Sequence, residues 1–233
     1  PSTAEEAISL AGNVEKRVGR LPGAEAVVAP PFVFLSRAGA VVKKVKLGAQ
    51  DLFWEAGGPY TGEISPRQLK SIGVKYVIVG HSERKINFGE TDDMINKKLH
   101  AAFAAGLLPV LCVGERERDD GQIPPIVGEQ LKRALAGINR RQMGRLTVAY
   151  EPVWAISTQP GSRPDTPDNA FRAMLYIRKA AAGLYDRRTA DLVRIIYGGS
   201  VTASNAAKFL SEGKMEGALV GGASLDADEF ASI

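Results

Sequence analysis

The stretch Val77-Ile78-Val79-Gly80-His81-Ser82-Glu83-Arg84 decides the architecture. Three consecutive β-branched residues read as a strand buried on both faces, the glycine ends it, and polar groups follow at once. The same order recurs along the chain. Thr147-Val148-Ala149-Tyr150 runs into Glu151-Pro152-Val153-Trp154, Ile195-Ile196-Tyr197 into Gly198-Gly199-Ser200, and Leu219-Val220 into Gly221-Gly222. Working outward, short apolar runs occupy 26–29, 45–50, 74–80, 107–113, 146–150, 192–197 and 218–221, mostly continuous rather than alternating. Between them lie segments of helical period at 91–105, 125–136, 166–184, 202–211 and 224–231, several opened by a Thr, Ser or Asp suited to capping. Ahead of the first run, Ser2 or Thr3 forms a capping box with Glu5 or Glu6, and Ala7, Ile8, Ala11, Val14 and Val18 recur at helical spacing until Pro22-Gly23. Repeated βα units with no linker, low-complexity tract or composition shift predict one α/β domain over 1–233. The expected fold is a (β/α)₈-type barrel with seven recognisable strands. A doubly wound sheet has the same periodicity, but no Gly-x-Gly-x-x-Gly follows the first run, which counts against a dinucleotide-binding version.

Composition narrows the classes further. The 233 residues are 45% hydrophobic and 24% charged, which excludes a disordered, collagen-like or disulfide-scaffold chain. The single cysteine, Cys112, has no internal partner and fits a reducing, cytoplasmic setting. The longest uncharged stretch, 101–114, carries Pro109 and falls short of the ~20 apolar residues a membrane span needs. No charged n-region with an apolar h-region opens the chain, so neither a secretory signal nor a membrane partner is expected. A net charge of +4 is compatible with nucleic acid or a small anion. Lys43-Lys44-Val45-Lys46 lacks interleaved aromatics, and Arg140-Arg141 and Arg187-Arg188 are isolated pairs, so these read as solvated faces and nucleic acid is not expected. A modest positive field still favours capture of a small anion.

In a parallel barrel the polar groups after each strand converge on one mouth, where active sites are built. His81 stands where a helix N-terminus should follow, and that positive dipole end disfavours imidazolium. A neutral ring there can donate to a carbonyl oxygen; the alternative is a histidine that merely caps a helix. Glu151 ends a strand and is followed by Pro152, which fixes the backbone leaving it. Beside Trp154 and Ile156 its carboxylate would be partly desolvated and a stronger base; the alternative is a salt-bridged rim residue. Gly198-Gly199-Ser200 and Gly221-Gly222 each precede a helix, where backbone N–H groups can approach a phosphate, although a lone Gly-Gly is usually a turn. Cys112 reads as a buried structural thiol and His100 as a surface residue. No Cys/His cluster supports a metal and no spacing supports a Ser-His-Asp triad.

Taken with Gly48-Ala49-Gln50-Asp51, Tyr60-Thr61-Gly62-Glu63-Ile64-Ser65, Phe88-Gly89-Glu90, Leu111-Cys112-Val113-Gly114-Glu115, Ala155-Ile156, Val201 and Ala223-Ser224-Leu225, these motifs run in one order over most of the chain. The sequence resembles the triosephosphate isomerase family. The resemblance implies cofactor-free interconversion of dihydroxyacetone phosphate and D-glyceraldehyde 3-phosphate through an enediolate. By matched position it makes Glu151 the base, His81 the electrophile and Glu90 a supporting group. It makes Ser157, Ser200, Gly221 and Gly222 the phosphate ligands, and Thr61 the residue that reaches into a partner's site in a homodimer. Two departures stand out. The family's opening strand and its Asn-x-Lys lysine have no counterpart, because Pro1-Ser2-Thr3 matches the segment just after them, so the 26–29 and 218–221 edges are expected to be unpaired. The family's lid, 151–167 here, is longer than the pattern. It has Ser157 in place of a glycine, and Gln159-Pro160-Gly161-Ser162-Arg163-Pro164 in place of a small tip, so a stiffer lid is expected. Two other readings compete: a non-catalytic phosphate-binding barrel that serves as an interaction module, and an isomerase of a larger sugar phosphate.

Overall fold

The computed structural model describes residues 1–118, 121–157 and 160–233. Six parallel strands lie side by side in chain order: β1 (Val27–Val28), β2 (Lys46–Ala49), β3 (Tyr76–Val79), β4 (Leu108–Val113), β5 (Thr147–Tyr150) and β6 (Arg194–Tyr197). Parallel neighbours in chain order require a crossover between each pair. These carry α2 (Leu35–Val41), α3 (Pro66–Ser71), α4 (Ser82–Phe88), α5 (Asp92–Ala104), α6 (Pro125–Ala134), α7 (Arg140–Met143), α8 (Pro167–Leu184) and α9 (Arg187–Ala190). Helix α1 (Ala4–Val18) precedes the sheet, and α10 (Ala206–Ser211) and α11 (Ala227–Ser232) follow it.

Alternate strand residues explain why the apolar runs are continuous. Val77, Val79, Leu111, Val113, Val148, Tyr150, Ile195 and Tyr197 pack with helix residues such as Leu99, Leu131 and Ile177 in one core. Their neighbours Tyr76, Val110, Cys112, Ala149 and Ile196 form a second cluster on the other face. The sheet is therefore buried on both sides and curls into a half-barrel around the second cluster, consistent with the TIM-barrel class. The caps read from sequence are in place: Thr3, Thr91 and Thr166 accept from Glu6, Met94 and Asn169 N–H at the starts of α1, α5 and α8.

Two expectations need correction. Among the described residues six strands form rather than seven: 218–221 meets β6 through one parallel bridge, Tyr197–Ala218, with Tyr197 N–H donating to Gly217 O and Leu219 N–H to Tyr197 O. Among the described residues no strand pairs on the far side of 218–221 to extend the bridge. Helices α10 and α11 begin at Ala206 and Ala227, later than the patterns at 202 and 224, because Asn205 and Asp226 spend their side chains on Thr202 and on Asp228 and Glu229 N–H. The Arg140-Arg141 and Arg187-Arg188 pairs are exposed, as read from sequence, with Arg140 Nε 2.9 Å from Asp186 Oδ2. His100 is exposed and Cys112 fully buried, as read from sequence. Among the described residues no helix is long and apolar enough to cross a membrane.

Candidate active site

His81 and Glu151 leave the C-terminal ends of β3 and β5 and meet. Gly80 makes the first exit: at φ 75° it turns the chain in a conformation a side chain resists, and a Cβ would stand 2.8 Å from Ile95 Cδ1. His81 then caps α4, with Nδ1 accepting the Glu83 N–H at 3.3 Å. An accepting Nδ1 places the ring's proton on Nε2, so the atom facing the site is a donor. Nε2 lies 3.1 Å from Glu151 Oε1.

Glu151 is held by the strands on either side of β5. Its N–H donates to Val113 O at 2.8 Å, and Gly198 N–H donates to Tyr150 O at 2.7 Å. Glycine is required at both flanks: a Cβ on Gly114 would fall 1.8 Å from Glu151 O, and one on Gly198 would fall 2.9 Å from Glu151 Cγ. The carboxylate is 2% exposed. Oε2 accepts the Ser82 N–H at 2.9 Å, whereas Oε1 has no hydrogen-bonded partner, its approach to His81 lying outside hydrogen-bond alignment. A buried carboxylate oxygen left free beside a ring N–H is chemically poised: one can take a proton while the other donates to an oxygen. Cys112 lies beneath, where burial and then the neighbouring Glu151 charge push its thiol well above the ordinary value.

The remaining residues singled out by sequence separate into three groups. Ser157 and Ser200 are brought together: Ser157 N–H donates to Ser200 Oγ at 2.8 Å, and Ser200 Oγ donates to Ala155 O at 2.9 Å. Gly221 and Gly222 lie exposed at the start of a 3-10 turn, Gly222–Leu225, and a Cβ on either would meet nothing within 4 Å, so open space surrounds them. Gly198-Gly199-Ser200 does not lead directly into a helix, because 201–205 intervene before α10. Glu90 stands apart from the His81–Glu151 pair, in a buried ion cluster that the pattern did not reveal. There Arg84 Nε lies 2.8 Å from both Asp51 Oδ2 and Glu90 Oε2, while Lys98 Nζ lies 2.7 Å from Asp51 Oδ1 and 2.8 Å from Glu90 Oε1. Burial pushes the Asp51 carboxyl up against the pull of Lys98. The cluster ties the end of β2 and helix α5 to α4, the helix that His81 caps. Thr61 is exposed on the β2–α3 loop, which also frames a cavity of about 510 Å³ among Phe53, Tyr60, Glu63 and Gln68, away from the histidine.

A second cluster missed by sequence joins Glu115 and Arg118 to Trp154 and Asp165. Glu115 Oε1 accepts from Tyr150 OH at 2.7 Å and Trp154 Nε1 at 3.0 Å, and Arg118 Nε lies 3.3 Å away. Tyr197 OH donates to Asp165 Oδ2 at 3.0 Å, and burial pushes the Asp165 carboxyl and both tyrosines up. Gln159 of the lid stretch lies outside the described residues. Among the described residues no group of His, Cys, Asp and Glu is arranged to hold a metal ion.

A curled parallel sheet with an imidazole donor and a free carboxylate at its strand C-termini defines a barrel enzyme of proton transfer. The sequence comparisons supply the particular family. A family model described as triosephosphate isomerase matches residues 2–233. Relatives of that name include one from Thermoanaerobacter sp. (strain X514), 47% identical over 99% of this chain and 93% of the relative, and one from Moorella thermoacetica, 46% identical over 100% and 93%. Another, from Caldanaerobacter subterraneus subsp. tengcongensis, is 47% identical over 90% and 85%. The chain belongs to the triosephosphate isomerase family, whose members are aldose–ketose isomerases.

Proposed function

We propose that the chain interconverts dihydroxyacetone phosphate and D-glyceraldehyde 3-phosphate without a cofactor. Glu151 Oε1 takes a proton from the carbon beside the carbonyl, and the electron pair moves to the carbonyl oxygen, which receives the His81 Nε2–H. His81 Nε2 recovers a proton from the hydroxyl on the neighbouring carbon, whose oxygen becomes the new carbonyl as the Glu151 carboxyl returns its proton to the former carbonyl carbon, so the enediolate collapses with every proton accounted for and no redox partner. Ser157, Ser200, Gly221 and Gly222 hold the phosphate, and Glu90, through Arg84, steadies the helix that His81 caps. The reading rests above all on the buried, unpartnered Glu151 Oε1 standing 3.1 Å from His81 Nε2. Deuterium transfer from D₂O into substrate carbon, followed by NMR, tests it. The chain should incorporate the label and Glu151→Gln should not; equal incorporation by both, or a requirement for added metal or nucleotide, overturns it.

Three finer points go with this reading. The exposed Thr61 loop reaches into a second copy to make a homodimer, which sedimentation of the chain and of a Thr61→Arg variant checks. An opening strand bearing the family's lysine, which has no counterpart in these residues, fits between β1 and 218–221 and makes the latter a seventh strand. Its support is that β1 pairs with β2 alone and 218–219 with Tyr197 alone among the described residues. The whole acts as one domain in the cytoplasm, in keeping with its lone reduced thiol. The binding-module alternative is not favoured, since it leaves the free carboxylate oxygen unexplained.

A further inference from the structure

We infer that Arg163 is a positioning residue for the reaction, an inference that rests on the isomerase reading: it fastens the outgoing arm 151–157 to the returning arm 160–166 and so governs how readily Ser157 N–H passes from Ser200 Oγ to a phosphate. Arg163 N–H donates to Trp154 O at 3.0 Å, which joins the returning arm to the outgoing one. Its guanidinium donates through Nη2 to Arg118 O at 2.6 Å and lies 5.0 Å from the centre of the Trp154 ring. Arg118 approaches the same ring at 5.8 Å, and the indole N–H is bound to Glu115. Trp154 is thereby gripped at its backbone, its ring and its nitrogen, and its fastening to the returning arm comes from Arg163.

The consequence lies just beyond Trp154. Ser157 N–H donates to Ser200 Oγ, and that hydroxyl donates to Ala155 O, so the amide assigned to the phosphate is spent on the serine and the serine on the same arm. A phosphate can be gripped by both only if 155–157 moves relative to Ser200. The arm that must move is anchored at Trp154. The Arg163 guanidinium contacts stabilise the arrangement in which the amide is spent on serine, and removing them, with the backbone bond to Trp154 O left in place, shifts the population toward the one in which it is free. Ground state and transition state both carry the phosphate, so the gain is uniform binding: KM falls and kcat holds. Arg163 is exposed, so its substitution leaves the fold intact.

The test measures kcat, KM and inhibition by inorganic phosphate for the full chain and for R163A, R163M and R163K. Arg163→Ala and Arg163→Met should lower KM and the phosphate inhibition constant together by about three- to fivefold, the size of one exposed cation–π contact. Arg163→Lys, which keeps the charge over the ring, should restore part of the difference. Unchanged or weakened phosphate binding in R163A, or a loss in kcat at constant KM, overturns the inference. Phosphate titration followed by Trp154 emission in a Trp54→Phe background separates this failure from failure of the isomerase reading. If the chain does not turn over triose phosphates but R163A still responds at lower phosphate than its parent, the clamp stands and the isomerase reading falls. If the two titrations coincide, the clamp falls whatever the turnover.

Discussion

Around the middle of the sheet β4 pairs with β3 from Tyr76↔Leu108 to Val79↔Leu111 and with β5 from Val110↔Thr147 to Val113↔Tyr150, whereas at one end β1 engages β2 only through Val27↔Lys46 and Val28↔Leu47, and at the other Tyr197 meets Ala218 alone. The chemistry divides along the same line. His81 and Glu151, the proposed proton-transfer pair, leave β3 and β5, each in four-residue register with β4 between them, and Gly80, Gly114 and Gly198 around them have no room for a methyl. Of the proposed phosphate groups, Gly221 and Gly222 follow the thin end and face open space, while Ser200, after β6, accepts the N–H of Ser157, which follows β5. Proton transfer demands fixed distances, and anion capture tolerates adjustment; on the proposed assignment the sheet is well paired beside the first and sparse beside the glycines of the second.

The sharpest way to break the well-paired region is chemical. Glu151→Gln keeps the Ser82 N–H bond but removes the base, and the isomerisation rate should fall by about 10²–10⁴-fold at unchanged melting temperature. Lys98→Met comes next. It leaves the buried Asp51 and Glu90 with Arg84 alone and should cost about 3–5 kcal/mol of stability by denaturant unfolding, with activity falling as α4 loosens. Gly114→Ala forces a methyl against the Glu151 carbonyl and should cost roughly 3 kcal/mol, a fall in Tm of roughly 6–12 °C.

The thin end responds more mildly. Near β1, Glu15 of α1 accepts the Lys43, Lys44 and Val45 N–H groups. Burial pushes its carboxyl up, but these three bonds, led by Val45, and the Lys43 charge together outweigh it and hold the pKa below the ordinary value. A carboxyl lowered by folding adds stability above its unfolded pKa and loses it as pH falls through the folded one. Glu15→Ala should therefore cost about 1 kcal/mol at neutral pH and nothing once both states are protonated, as denaturant midpoints across pH 7 to about 3 will report. Gly222→Ala should leave stability within about 0.5 kcal/mol, since its methyl meets no protein atom, while raising the phosphate inhibition constant. A stability loss as large as that of Gly114→Ala would erase the contrast between the two regions.

The alternation of apolar runs and capped helices carried the architecture, and the polar residue after each run carried His81, Glu151 and Ser200, because in a parallel sheet chain order and spatial order coincide. Length of pairing was not legible. Whether 26–29 or 218–221 forms a ladder depends on a neighbour, not on its own residues. The Lys98 cluster was hidden for a related reason. A lysine within a helix reads as solvent-facing, and only the convergence of Asp51, Arg84 and Glu90 from three elements makes its burial tolerable. Glu115 and Arg118 were equally silent, since their partners Tyr150, Trp154 and Arg163 lie elsewhere in sequence. Glu90 was identified by family position, and the geometry adds what the motif lacks: a line of charge from it to the histidine-bearing helix.

Cys112, enclosed beneath the carboxylate and strongly averse to becoming a thiolate, is shielded from alkylating reagents and oxidants alike while the chain is folded. Being the sole sulfhydryl, it turns any labelling into a clock for global opening, and an intact protein should keep its colourless thiol through prolonged exposure to a disulfide dye.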